Sequence, residues 1–240
     1  MLTPSLVMGL GLAAGIEHAF EPDHVAAMST QISKSKCSQK PVRQLLKESF
    51  AKSSVLGALW GAGHTTTLVL IGFLVYVLAI TIQGQIFSGL EFAVGMMLVF
   101  LGVSTILNRK FRLRHKHPHQ HKDGTIHFDE HTHTDAEHTH THRSYFIGLV
   151  HGLAGSGSLV VLTAATLDNV GMVLSFIVIF GIGSMIGMAL VGSIMGIPLV
   201  FVNKIGLIQK TFRYAAGAFS LIIGFNIMYS IGILGHLFGL

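Results

Sequence analysis

Apolar residues in this chain run in long blocks and do not alternate with polar ones. Six stretches, at about residues 4–29, 54–80, 86–107, 145–167, 170–202 and 212–237, are apolar over lengths that let a helix cross about 30 Å of hydrocarbon. The first block is the exceptional one. Its apolar run from Leu6 to Met28 is interrupted by Glu17, His18, Glu21, Asp23 and His24. An ionisable side chain at the centre of a membrane helix costs about 2.5–3.5 kcal/mol on insertion scales, and such residues persist where they line a pathway or hold an ion.

The pattern therefore predicts an all-α polytopic membrane protein with six transmembrane helices, and a repeat within the sequence divides them into two sets of three. Trp60, Gly61, Ala62, Gly63 and His64, followed by Gly72, match Phe180, Gly181, Ile182, Gly183, Ser184 and Gly192 at an offset of 120. Phe92 to Gly95, followed by Gly102, match Tyr214 to Gly217 and Gly224 at an offset of 122. Gly11, Leu12 and Gly15 match Gly148, Leu149 and Gly152 more weakly. An odd number of spans per repeat predicts two inverted three-helix repeats, a plan in which a substrate site lies near the midplane and is formed by broken helices. The expected organisation is a first repeat over residues 1–107, a polar segment over 108–144 and a second repeat over 145–240.

Composition agrees with the pattern. Half of the 240 residues are hydrophobic, 11% are charged and the mean hydropathy is +0.63, outside the range of ordinary soluble domains. The opening Met1, Leu2, Thr3, Pro4 lacks the basic start of a signal peptide, so the first block is expected to be a retained span. The net charge of +5 would suit nucleic acid, but the basic residues are placed otherwise: six lie in 34–52, seven in 109–143 and three in 204–213. These segments follow spans one, three and five, so all face one side, as expected for the cytoplasm. The expected partner is a lipid bilayer and not nucleic acid, in the cell membrane, with both termini outside and residues 108–144 inside. A single cysteine, Cys37, excludes an internal disulfide and any Cys-rich metal site, which leaves His, carboxylate and backbone as ligands.

Candidate chemistry centres on the interruption in span one. In an unbroken helix His18 and His24 point about 120° apart. Pro22 clashes with the carbonyl of His18 and disfavours helical geometry at Glu21, so a kink there can turn both rings toward one point. His18, Asp23 and His24 are the primary candidate metal ligands. His64 joins them because it lies at a similar depth in span two. Glu17 and Glu21 complete the ligand set, orient the imidazoles or carry protons; the residues do not separate these roles. His151 in span four reads as an inner station for an ion or as a packing histidine, and Asn226 and Asp168 are weaker candidates. Gly152, Gly155 and Gly157, with Ser156 and Ser158, read as an unwound or tightly packed counterpart of the motif region, without the lysine of a phosphate-binding loop. Imidazole with carboxylate suits borderline divalent metals, whereas Mg²⁺ and Ca²⁺ prefer all-oxygen sites.

Residues 108–144 differ in kind. They contain ten histidines, with Asp123, Asp129, Glu130, Asp135 and Glu137 among them. Such a segment cannot bury a core and is expected to be largely disordered, binding divalent transition metals in a labile way. No nucleophile stands beside a base in a recognisable arrangement, and H-E-x-x-H is absent, so an enzyme is not expected.

The pattern His-x-x-x-x-Asp-His, carried by His18, Asp23 and His24, resembles the signature of the nickel/cobalt transporter family, in particular its short six-helix branch of urease-accessory membrane proteins. Gly63, His64, Thr65 and Thr66 are similar to a second element of that family. The longer members carry Asp where this chain has Glu21 and Ala where it has Pro22. The resemblance implies a secondary transporter whose substrate is Ni²⁺, with Co²⁺ as a second substrate, taken up across the cell membrane and passed to a cytoplasmic metallochaperone. The alternatives are an exporter of the same metals and a membrane metallochaperone or sensor; oligomeric state is left open.

The charge distribution makes a direct prediction. In a Cys37→Ser background, Ser88→Cys reacts with an impermeant thiol reagent applied to intact cells and Thr125→Cys does not. Labelling at position 125 overturns the orientation.

Overall fold

The computed structural model describes residues 3–33, 41–77, 84–108, 117–120, 126–129, 141–153, 167, 169–202, 206–235 and 237. In order, these form α1 (Pro4–His18), α2 (Pro22–Ile32), α3 (Val42–Tyr76), α4 (Gly84–Ile106), β1 (His117–Gln120), β2 (Ile126–Asp129), α5 (Thr141–Gly152), α6 (Val170–Val202) and α7 (Gly206–Tyr229), the last running into a π-helical turn at Ser230–Leu234. Four stretches among them are long and apolar enough to cross a membrane: Val42–Tyr76, Gly84–Ile106, Val170–Ile197 and Gln209–Leu234.

Expected span one is two helices. Pro22 occupies the first turn of α2, where its missing N–H is not needed, and it holds Glu21 extended at φ −59°, ψ 147°. The chain leaves α1 through tightened turns, with Phe20 N–H donating to the Glu17 carbonyl at 2.9 Å and Glu21 N–H to that of His18 at 3.1 Å. At 1.5 Å per residue α1 is only about 22 Å long, so the two helices together take the place of one span. Expected span four begins as α5 and is helical to Gly152. Its remainder, with Gly155, Ser156, Gly157, Ser158 and Asp168, lies outside the described residues. The limits expected for span five coincide with α6.

α3 begins earlier than hydropathy indicates. Its first turns carry Arg43, Lys47, Glu48 and Lys52, which lower an apolar average without breaking a helix. Within residues 108–144, β1 and β2 pair as a two-stranded antiparallel ladder. Its register sets His117 opposite Asp129, Pro118 opposite Phe128 and His119 opposite His127. The described residues are otherwise helical.

Glycine sets how the helices meet. α3 packs along α6, α1 packs on α6, and α5 packs on α3. A Cβ at Gly63 would run into the Tyr145 carbonyl of α5, and one at Gly148 into the Trp60 carbonyl of α3. On the other side, a Cβ at Gly15 would strike the Phe180 carbonyl of α6, and one at Gly183 the Leu12 carbonyl of α1. α4 and α7 form a second pair: Gly95 faces the Gly224 carbonyl and Gly102 that of Gly217, and the reverse contacts also hold. Lacking a hydrophobic drive in lipid, helices gain from such close backbone approach. α2 joins the two groups, packing on α7, α6 and α4. The main apolar cluster gathers around it, with Ala26, Ala27, Met28 and Ile32 of α2 beside Trp60, Val94, Leu98, Leu101, Met188 and Val191. The hydroxyls of Ser29 and Thr30 return to the carbonyls of Ala26 and Ala27, so this buried helix leaves neither hydroxyl unsatisfied.

Gly63→Ala and Gly148→Ala are each expected to destabilise the protein by about 1–3 kcal/mol, the usual penalty of overpacking, visible as a lowered melting temperature in detergent. Gly9→Ala and Gly89→Ala, where an added Cβ meets nothing within 4 Å, leave it unchanged or raise it. Equal effects at all four positions would remove this account of the packing.

Candidate metal centre

The break between α1 and α2 places His18 at the end of one helix and His24 in the first turn of the next, and the two rings meet with centroids 4.3 Å apart. His64, from the middle of α3, lies 5.2 Å from His18 and 5.4 Å from His24. One nitrogen from each of these three rings falls within 4.8 Å of the others, and all three residues are buried. α3 thus brings His64 beside the two histidines of the motif.

Two carboxylates fix how the rings present themselves. Glu21 accepts from His18 Nδ1 at 2.8 Å. Asp23 Oδ1 accepts from His24 Nδ1, and from the His24 backbone N–H, both at 2.9 Å. A carboxylate can only accept, so each Nδ1 carries the proton and each Nε2 is left with a lone pair. His18 Nε2 and His24 Nε2 are both buried and have no hydrogen-bond partner among the described residues. A carboxylate behind an imidazole, with the other ring nitrogen bare, is the usual support of a histidine metal ligand.

Asp23 is placed differently from the other three candidates. Its second oxygen, Oδ2, accepts from His151 Nε2 at 2.9 Å, so it bridges two imidazoles and stands behind the trio. Asp23, His24 and His151 form a second group with ligand atoms within 4.8 Å of one another. His151, 4.4 Å from His24 between ring centroids, therefore belongs to the cluster. Trp60 closes one wall, 5.3 Å from both His24 and His151, and Phe180 of α6 another, 5.5 Å from His18. Glu17 is exposed on α1 and Asn226 is exposed on α7, and neither is in the groups of clustered ligand atoms. Sequence reasoning missed Trp60, although it belongs to the repeated segment it shares with His64.

A buried group of imidazoles, two of them held by carboxylates and all enclosed by apolar helices, defines a helical protein of membrane-spanning composition with a site that could hold a metal ion. The urease accessory protein UreH of Bacillus sp. (strain TB-90) is 35% identical over 234 residues, which cover 98% of this chain and 95% of the relative. The chain belongs to the UreH family, a branch of the nickel/cobalt transporters. No family model matches the chain, and no solved structure matches it significantly.

Isothermal titration of the purified protein with Co²⁺ checks the centre. His18→Ala, His24→Ala and His64→Ala are each expected to abolish measurable high-affinity binding, and Asp23→Ala to weaken it about 10–100-fold, the typical cost of losing the partner of a ligand. Wild-type affinity in His24→Ala would refute the assignment.

Proposed function

We propose that the protein is a secondary transporter that moves Ni²⁺, with Co²⁺ as a second substrate, into the cell through the His18, His24 and His64 cluster with Asp23 behind it. The observation that carries this reading is the pair of buried Nε2 atoms of His18 and His24, bare and without hydrogen-bond partners among the described residues. Unsatisfied polar atoms in an apolar interior cost free energy, and an ion that accepts both lone pairs removes that cost. Neutral imidazole is a good donor for Ni²⁺ and Co²⁺. Nickel is the reading supported by the family and by a relative named as a urease accessory protein.

The packing supports an inverted-repeat plan. The contact of α1 with α6 has its counterpart in that of α5 with α3, and the α4–α7 pair exchanges Gly95 with Gly217 and Gly102 with Gly224 under the sequence offset. The first span of the first half is interrupted at Pro22, as in transporters with sites at broken helices.

The ion crosses without chemical change, so no catalytic residue is invoked. A membrane potential is sufficient to drive entry: at about 2.3 kcal/mol per charge per 100 mV, a divalent ion gains about 4.6 kcal/mol. Segment 108–144 lies on the arrival side in this orientation, where its histidines buffer released metal before transfer to a cytoplasmic metallochaperone.

Cells expressing the protein are expected to accumulate radiolabelled Ni²⁺ several-fold above controls, and His18→Ala and His64→Ala cells to match controls at equal membrane abundance. Accumulation below controls would assign export, and unchanged accumulation with metal bound to the protein would assign a metallochaperone or sensor.

A further inference from the structure

We infer that the ion occupies two overlapping positions in turn, the second formed by Asp23, His24 and His151, and that His151 is a metal ligand. This rests on the transport reading above and adds a step to it. Two groups of ligand atoms each lie within 4.8 Å, one from His18, His24 and His64 and the other from Asp23, His24 and His151. His24 is common to both. An ion can therefore pass from one group to the other without leaving His24, exchanging His18 and His64 for Asp23 and His151, and is never fully stripped of protein donors in a medium where a bare divalent charge is prohibitively costly.

Details of His151 go beyond a packing role. It gives Nε2–H to Asp23 Oδ2 at 2.9 Å, which leaves Nδ1 as a lone pair. That atom is buried and has no hydrogen-bond partner among the described residues. A histidine present only to hold Asp23 gains nothing from burying a second, unsatisfied nitrogen. As ligands, both atoms of the pair have a use: Asp23 keeps Oδ1 on His24 Nδ1 and offers Oδ2, and His151 offers a ring nitrogen.

The second position lies further along the path. The His151 ring is 5.3 Å from Trp60 and 6.4 Å from His64. Trp60 is one helical turn nearer than His64 to the start of α3, which faces the cytoplasm in the proposed orientation. The exchange of ligands thus carries the ion inward. It also hands the ion from the pair His18 and His64, both in the first half of the chain, to a position completed by the second half through α5. Relative movement of the two halves then makes or breaks the second position while leaving the first whole.

Co²⁺ spectroscopy on the full-length protein in detergent tests the inference, with Cys37→Ser as the parent so that no other thiol is present. In His151→Cys, added Co²⁺ is expected to produce a thiolate-to-cobalt charge-transfer band absent from the parent. Adding His24→Ala, which removes the ligand common to both positions, should remove it. A parent that shows cobalt ligand-field bands, with no charge-transfer band in His151→Cys, overturns the second position and leaves the transport site standing. A parent without ligand-field bands removes the transport site and the inference together. His151→Gln supplies a check that does not depend on the thiol, since Gln keeps a donor for Asp23 but is a poor ligand. Its initial rate of Co²⁺ uptake should fall at least tenfold at equal membrane abundance, and a rate equal to wild type overturns the ligand role.

Discussion

A proline between two short helices of an apolar stretch sets the terms for the rest of this structure. Pro22 has no N–H and keeps Glu21 out of the helical region, so α1 must end at His18 and α2 must start afresh. Non-helical backbone at membrane depth is tolerated only where protein or a polar cavity surrounds it. The break at Ala19 and Phe20 therefore requires neighbours, and α6 supplies one: a Cβ at Gly187 would collide with Ala19 and with the backbone of Ile16. Ala19 is fully buried as a result.

The same break gathers the chemistry. His18 and His24 would diverge on one helix. Across the interruption their rings are in contact, and the two acids of the intervening turn and first helical turn, Glu21 and Asp23, each hold one of them. Local sequence thus provides both ligands and both supports, while distant sequence provides enclosure. α3 reaches the site because Gly63 and Gly148 let α5 lie against it, and that contact also positions His151 beside Asp23. Packing and ligand geometry depend on the same small residues.

Much of this could be read from the sequence, and the rest could not for definite reasons. Hydropathy located α4 and α6 well because an uninterrupted apolar helix is what it measures. It set the start of α3 twelve residues late, at 54 instead of Val42, because charged residues outside the membrane end an apolar average without ending a helix. Pro22 and the flanking ionisable residues indicated the bend, but one-dimensional spacing does not distinguish a kink from two helices. His18, His24 and His64 were recognisable from their depth and pattern. The bridging position of Asp23 was not, because it depends on His151, 128 residues away, and on a helix contact that no local pattern encodes. Gly148 and Gly152 around His151 carried the available clue, since glycine at that spacing in an apolar helix marks a close neighbour.

The repeated sequence segments of the two halves differ in chemistry. At the offset of 120, Trp60 corresponds to Phe180, and each aromatic ring lies about 5.4 Å from an imidazole: Trp60 is 5.3 Å from His151 and Phe180 is 5.5 Å from His18. His64 corresponds to Ser184, which is fully buried on α6 with its hydroxyl unpartnered among the described residues. The position that supplies an imidazole in the first half is thus retained in the second as a small polar side chain against α1, where a larger one would separate α1 from α6 at Gly15 and Gly183. The first half thus furnishes four of the five clustered donors, His18, Asp23, His24 and His64, and the second adds His151 and the Phe180 wall.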